Sequence, residues 1–255
     1  MRATVISNWV KVNTPLEGCL PYPYLDSLGY MTTGMGNLIE PLAAMQSYPW
    51  HNPDGSPTSA SDVAAVYEAL DSTRTDPKGQ VQTGGPAAHY GQAFANLSTI
   101  RLSPAGIQQA VTDTLNRNEA MLRTYFPGWD TFPADGQAAI MSMAWAMGPG
   151  FPRTFTSFTA KVNAGDWSGA IADADFRGNG VAARIAMNKQ MLANAAAVAG
   201  GVGDPETLYW PATPSGGGLW HKSLLVLALG AGLGAAYRPD FVERLWTAAK
   251  GWLSS

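Results

Sequence analysis

Apolar residues recur at helical intervals at the start of the chain, where Val5, Ile6, Trp9 and Val10 predict a first helix running to about Glu17. The period then changes. Aromatic and β-branched residues crowd into 21–33 around SLG at 27–29, which predicts a small β-hairpin with Asp26 at the turn end of its first strand and Thr32 on its second. Residues 41–99, rich in Pro, Gly, Ser, Asp and Thr, predict a long-looped insertion interrupted by one helix, capped by Ser61 and presenting Val63, Val66, Tyr67 and Leu70. At 102–104 the sequence LSP supplies an N-cap serine and a first-turn proline for a long helix, with Ile107, Val111, Thr114, Leu115, Met121 and Leu122 on its apolar face. FPGWDTFP stops it. The run QAAIMSMAWAM at 137–147 is apolar nearly all round, so it should be a central helix buried on several sides and ended by Gly148-Pro149-Gly150. Helices at 155–163, 167–174 and 181–199 follow, the last rich in alanine and therefore strongly helix-favouring.

From Gly200 the composition becomes that of a linker up to 218, leading to a hydrophobic segment at 219–255. Residues 223–237 carry no charge, but as a helix their 15 residues cover only about 22 Å of a hydrocarbon core about 30 Å thick. Trp220 and Tyr237 stand where interfacial aromatics are expected, Lys222 and Arg238 could snorkel, and Gly230 and Gly234 form a GxxxG. After Pro239 a second helix would place Phe241, Leu245, Trp246 and Trp252 near one side. Either a membrane or other protein subunits would suit this helical hairpin, and both make it an attachment device.

Composition narrows the function classes. With 255 residues and 46% hydrophobic content, the chain can bury the core of one large or two smaller domains. A net charge of −3 and only 14% charged residues provide no broad basic surface, which argues against a nucleic-acid partner. Cys19 is the one cysteine, so no internal disulfide or zinc cluster can form. It reads as a small buried hydrophobe, although it lies between two acids. His51 and His89 lack a second ligand at a metal-binding interval and read as surface or packing residues. The N-terminal stretch has no long apolar core or small-residue cleavage site of a secretory signal.

Candidate chemistry gathers in EGCLPYPYLDSLGYMTTGMGN at 17–37. Hydrolysis of a glycosidic bond needs one protonated carboxyl for the leaving oxygen and one ionised carboxylate to activate water, and a hydroxyl beside the second can hold that water. Glu17, Asp26 and Thr32 can supply them, and Gly34 and Gly36 would let a sugar chain approach the backbone.

This spacing resembles the phage-type lysozymes, the muramidase family of bacteriophage endolysins: Glu, eight residues, Asp, five residues, Thr, then Gly-X-Gly. AIMSMAWAMGPGF at 139–151 resembles that family's central helix and its following turn, NAGDWSGA at 163–170 the next short helix, and GVAAR at 180–184 the opening of its last helix. The sequence departs from the pattern at Asn37, Ile185 and Asn188, and the resemblance covers about 8–40 and 100–199. It implies an α+β, lysozyme-like catalytic domain over 1–199, with a small β-hairpin lobe, a larger helical lobe and a cleft between them. It further implies Glu17, Asp26 and Thr32 as catalytic groups, Gly34, Gly36, Asn37 and Trp145 as substrate-binding, and Arg184 as a supporting partner of Glu17, with no cofactor or metal. The expected substrate is peptidoglycan, cut between N-acetylmuramic acid and N-acetylglucosamine, with inversion if the carboxyls stand about 6.5–9.5 Å apart. The 219–255 segment would hold the enzyme in a virion or at a membrane while it acts on the wall in the periplasm. Two other classes stay open: a glycosidase of chitin-like polymers, and a structural virion or interaction protein retaining the scaffold.

Overall fold

Helix α1 (Ala3–Glu17) buries Val5, Trp9 and Val12, one residue per turn, while Lys11 and Ser7 face outward. The computed structural model describes residues 1–26, 29–73, 94–177 and 181–214, and among these the fold is α+β, mostly helical with small antiparallel sheets. They divide into two units, Val10–Thr114 and the remainder, so that α1 and the long helix α4 (Pro104–Tyr125) each contribute to both.

In the Val10–Thr114 unit, strands β1 (Leu20–Leu25), β2 (Met31–Gly34) and β3 (Asn37–Leu38) form an antiparallel sheet in that order. Pro21 and Pro23 of β1 have no N–H for the ladder, and the register jumps from Leu20 opposite Gly34 to Tyr24 opposite Thr32. Thr33 Oγ1 donates to the Tyr22 carbonyl at 3.2 Å inside this irregular stretch. The hairpin matches the expected one, with Asp26 directly after β1 and Thr32 on β2; Ser27 and Leu28 lie outside the described residues.

The insertion contains more structure than its loop-like composition implies. It carries α2 (Leu42–Gln46), β4 (Trp50–His51) and α3 (Ala60–Asp71), and β4 pairs with β5 (Arg101–Leu102) just ahead of α4. The cap of α3 is Ser59 rather than Ser61: Ser59 Oγ accepts from Asp62 N at 3.1 Å, the three-residue reach a cap requires. Val63, Val66 and Leu70 are buried as expected. His51 Nδ1 lies 3.3 Å from the Gly55 carbonyl, whereas His89 lies outside the described residues. Ser103 caps α4 through Gly106 N at 3.2 Å.

The other unit is helical and centres on α5 (Ala134–Met147), in which every residue from Ala134 to Ala144 is buried. Met121 of α4 is 44% exposed, so the apolar face there is narrower than the sequence implies, while Leu115 and Leu122 are fully buried. After α6 (Thr156–Asn163), the helix expected over 167–174 is only α7 (Trp167–Ala170), continued by a 3-10 turn at Ile171–Asp173. α8 (Ala182–Ala199) packs on α5. Trp167 lies against α5 so closely that a Cβ on Gly136 would stand 2.6 Å from its ring.

Residues 204–212, which read from composition as part of a linker, are bound to this unit. Their anchor is Asp135, fully buried in the first turn of α5, whose carboxylate accepts from Tyr209 N (2.7 Å), Trp210 N (3.1 Å) and Asn194 Nδ2 (2.8 Å). Ala134 N donates to the Pro205 carbonyl at 2.9 Å, and Asn194 Nδ2 also donates to the Ala212 carbonyl at 3.0 Å. Burial pushes the Asp135 carboxyl above its ordinary value, against the pull of these three donors. The 219–255 segment lies outside the described residues, among which no helix is long and apolar enough to cross a membrane.

Candidate active site

α1 delivers Glu17 as its last residue, exposed, and Gly18 at φ +69° turns the chain at once toward β1. Cys19 follows, partly buried, and burial pushes its thiol up to about 11, which keeps it protonated and unreactive at neutral pH. Asp26 is fixed at the far end of β1: its amide donates to the Tyr30 carbonyl at 2.9 Å, and its Oδ1 accepts from Tyr30 N at 2.9 Å. The Gly29 amide closes the turn onto the Asp26 carbonyl at 2.9 Å. Thr32 is 3% exposed, and its Oγ1 donates to the Tyr24 carbonyl at 3.4 Å.

One side chain relates these groups to each other. The Tyr24 phenol is pushed above its ordinary value mainly by burial; a side-chain hydrogen bond with Thr32 acts the other way, and Asp26, Glu17 and Cys19 raise it further by their charge. Glu17 and Asp26 therefore both lie within Coulombic reach of the Tyr24 phenol. The acid, the second acid and the hydroxyl expected from spacing are carried by one unit. Tyr24 is not among the residues that the spacing singles out. Its signal is the hairpin register: counting outward from the turn, Leu25 opposite Met31 puts Tyr24 opposite Thr32, and the register shift comes only beyond, between Tyr24 and Leu20.

The glycines differ in role. Gly36, at φ +81°, is exposed and has nothing within 4 Å of a would-be Cβ. Gly34, at φ +61°, is buried, and a Cβ there would meet Asn37 Oδ1 at 2.8 Å. Asn37 itself, expected at the sugar, is fully buried and its amide is committed within the unit. Its Oδ1 accepts from Met35 N (3.1 Å) and its Nδ2 donates to the Ala110 carbonyl (3.2 Å) and Thr114 Oγ1 (2.9 Å). It clamps the turn after β2 onto α4.

Trp145 and Arg184 belong to the helical unit. Trp145, partly exposed, packs against the buried Trp9 with ring centroids 5.5 Å apart. Arg184 is 4% exposed, unlike an ordinary surface helix arginine, and its Nη1 donates to Ser142 Oγ at 3.1 Å and to the Ser142 carbonyl at 3.3 Å. Asn188, one turn further along α8, is fully buried. Among the described residues no group of three or more His, Cys, Asp or Glu could hold a metal ion.

Two carboxylates and a hydroxyl in this relation can donate a proton, accept one and hold a water, the set that glycoside hydrolysis requires. No model of a known protein family matches the chain, and no curated protein matches it.

Proposed function

We propose that this chain is a muramidase with a lysozyme-like fold, hydrolysing the β-1,4 bond between N-acetylmuramic acid and N-acetylglucosamine in peptidoglycan. The observation that carries the reading is that Glu17 at a helix end, Asp26 just after β1 and Thr32 on β2 belong to one unit, with the charge of both acids acting on the Tyr24 phenol. Glu17 gives its proton to the glycosidic oxygen as the C–O bond breaks. Asp26 takes a proton from water while the water oxygen bonds to the anomeric carbon, so each carboxyl ends in the state in which the other began. Thr32 holds that water, and attack on the face opposite the leaving group inverts the anomeric centre. Exposed Gly36 leaves the backbone open to a sugar. The 219–255 segment would tether the enzyme in a phage particle or at a membrane, with the wall as its partner.

The test is digestion of purified peptidoglycan beside chitin oligomers, with the new reducing ends identified by mass spectrometry. N-acetylmuramic acid at the new ends of peptidoglycan fragments supports the reading. Cleavage of chitin alone would replace the substrate, and no cleavage of either would leave a binding or structural protein.

A further inference from the structure

An exposed aromatic side chain standing alone needs no explanation, but Tyr30 has a particular neighbour. Leu25 stands opposite Met31 and Tyr24 opposite Thr32 across the hairpin, so one step toward the turn Asp26 stands opposite Tyr30. The bonds agree: Asp26 N donates to the Tyr30 carbonyl at 2.9 Å, and Tyr30 N donates to Asp26 Oδ1 at 2.9 Å. Residues directly opposite in an antiparallel pair share a face, and alternation puts Tyr24 and Thr32 on that same face. The other face belongs to the core, where Leu25, Met31, Thr33 and Asn37 are fully buried. Along the Asp26 face exposure instead rises toward the turn, from 3% at Thr32 to 51% at Tyr30. With the Tyr30 amide 2.9 Å from Asp26 Oδ1, the Cβ that carries the phenol ring lies no more than about 5.5 Å from that oxygen.

A pyranose ring has polar edges and an apolar face of C–H groups. An exposed aromatic face takes up such a surface by removing it from water and by attracting its C–H hydrogens to the negative π cloud. Both main-chain polar groups of Tyr30 are held by Asp26, so few degrees of freedom are left for a ligand to order. In the muramidase reading, on which this rests, Asp26 serves the anomeric carbon of N-acetylmuramic acid, so that sugar is the one within reach of the ring. We propose that Tyr30 is a substrate-binding residue: its exposed ring stacks on the N-acetylmuramic acid unit and holds it beside Asp26 before and during the cut. A contact made alike in ground and transition states lowers KM without raising kcat.

The experiment measures kcat and KM on solubilised peptidoglycan for the wild type, Tyr30→Phe and Tyr30→Ala, with circular dichroism melts of each. Alanine removes the ring and should raise KM about tenfold with kcat within about twofold. Phenylalanine keeps the ring and should stay within about twofold of the wild type in both constants. Wild-type KM in Tyr30→Ala would overturn the proposal. So would a fall in kcat at unchanged KM, which places the effect at Asp26, or a phenylalanine variant as weak as the alanine one, which places it in the hydroxyl. Should Tyr30→Ala melt too low for rates, nitration of tyrosines by tetranitromethane decides, read by peptide mass spectrometry in Glu17→Gln with and without solubilised peptidoglycan. Slower nitration of Tyr30 in the presence of the glycan supports the stack, and equal nitration counts against it. A wild-type chain that cuts nothing removes the muramidase reading itself, a result distinct from any of these.

Discussion

Replacing Gly34 and Gly36 separately by alanine should divide two effects that their shared Gly-X-Gly motif confounds. Both have left-handed φ, +61° and +81°, which costs an alanine about 1–2 kcal/mol. At Gly36 that is the whole expected loss, because nothing lies within 4 Å of the new methyl group. At Gly34 the methyl would meet Asn37 Oδ1 at 2.8 Å, and Asn37 is fully buried with three hydrogen bonds holding it. Moving it leaves a buried polar group unmet, which adds about 1–3 kcal/mol, so Gly34→Ala should lose about 2–5 kcal/mol. Urea unfolding followed by far-ultraviolet circular dichroism measures both. In Gly34→Ala/Asn37→Ala the clash has no partner, so the double variant should be more stable than the summed single losses predict by about 1–3 kcal/mol. Equal losses at the two glycines, or strict additivity, would refute the clamp. A raised KM for Gly36→Ala with no more than that about 1–2 kcal/mol loss would mark Gly36 as the glycine that the sugar approaches.

Asp135→Asn keeps one acceptor but turns an amide donor toward the Tyr209 or Trp210 N–H, and should destabilise by about 1–3 kcal/mol. Because the folded carboxyl sits above its ordinary 3.8, its contribution is fully present below 3.8 and is lost as pH rises through the folded value. The wild-type advantage over Asp135→Asn in thermal melts should therefore shrink as pH rises through that window; an advantage that grows would contradict the assignment. Cys19, with its thiol pushed up to about 11, should react with a thiol reagent at pH 8 roughly a hundredfold more slowly than in urea, read by absorbance; similar rates would mean an open thiolate.

The parts of the fold that show in the sequence are those with local chemistry. Ser103 and Pro104 announce α4, the apolar run announces α5, and the aromatic hairpin sits where its β-rich composition puts it. What stays hidden depends on partners distant in sequence. Asp135 lies just ahead of the apolar run at 137–147 and carries no signal of its own, and residues 204–212 read as linker, because neither has a period that shows the other. Asn37 sits beside the glycines expected to admit a sugar, and only the approach of Ala110 and Thr114 reveals that its amide is already used. Tyr24 is hidden for another reason: counting outward from the turn puts it opposite Thr32, the register shift lying beyond it toward Leu20, but the chemistry names no phenol. Glu17, Asp26 and Thr32 stand out in the sequence because the proposed chemistry calls for those residue types and their spacing resembles a known pattern.

The most direct measurement is the release of reducing ends from purified peptidoglycan by the wild type and by Glu17→Gln, each first confirmed as folded by circular dichroism. A glutamine at this position cannot donate the proton, so the account predicts steady release by the wild type and a fall of roughly a hundredfold to ten-thousandfold in the variant. Equal release by both, or none by either, would contradict it.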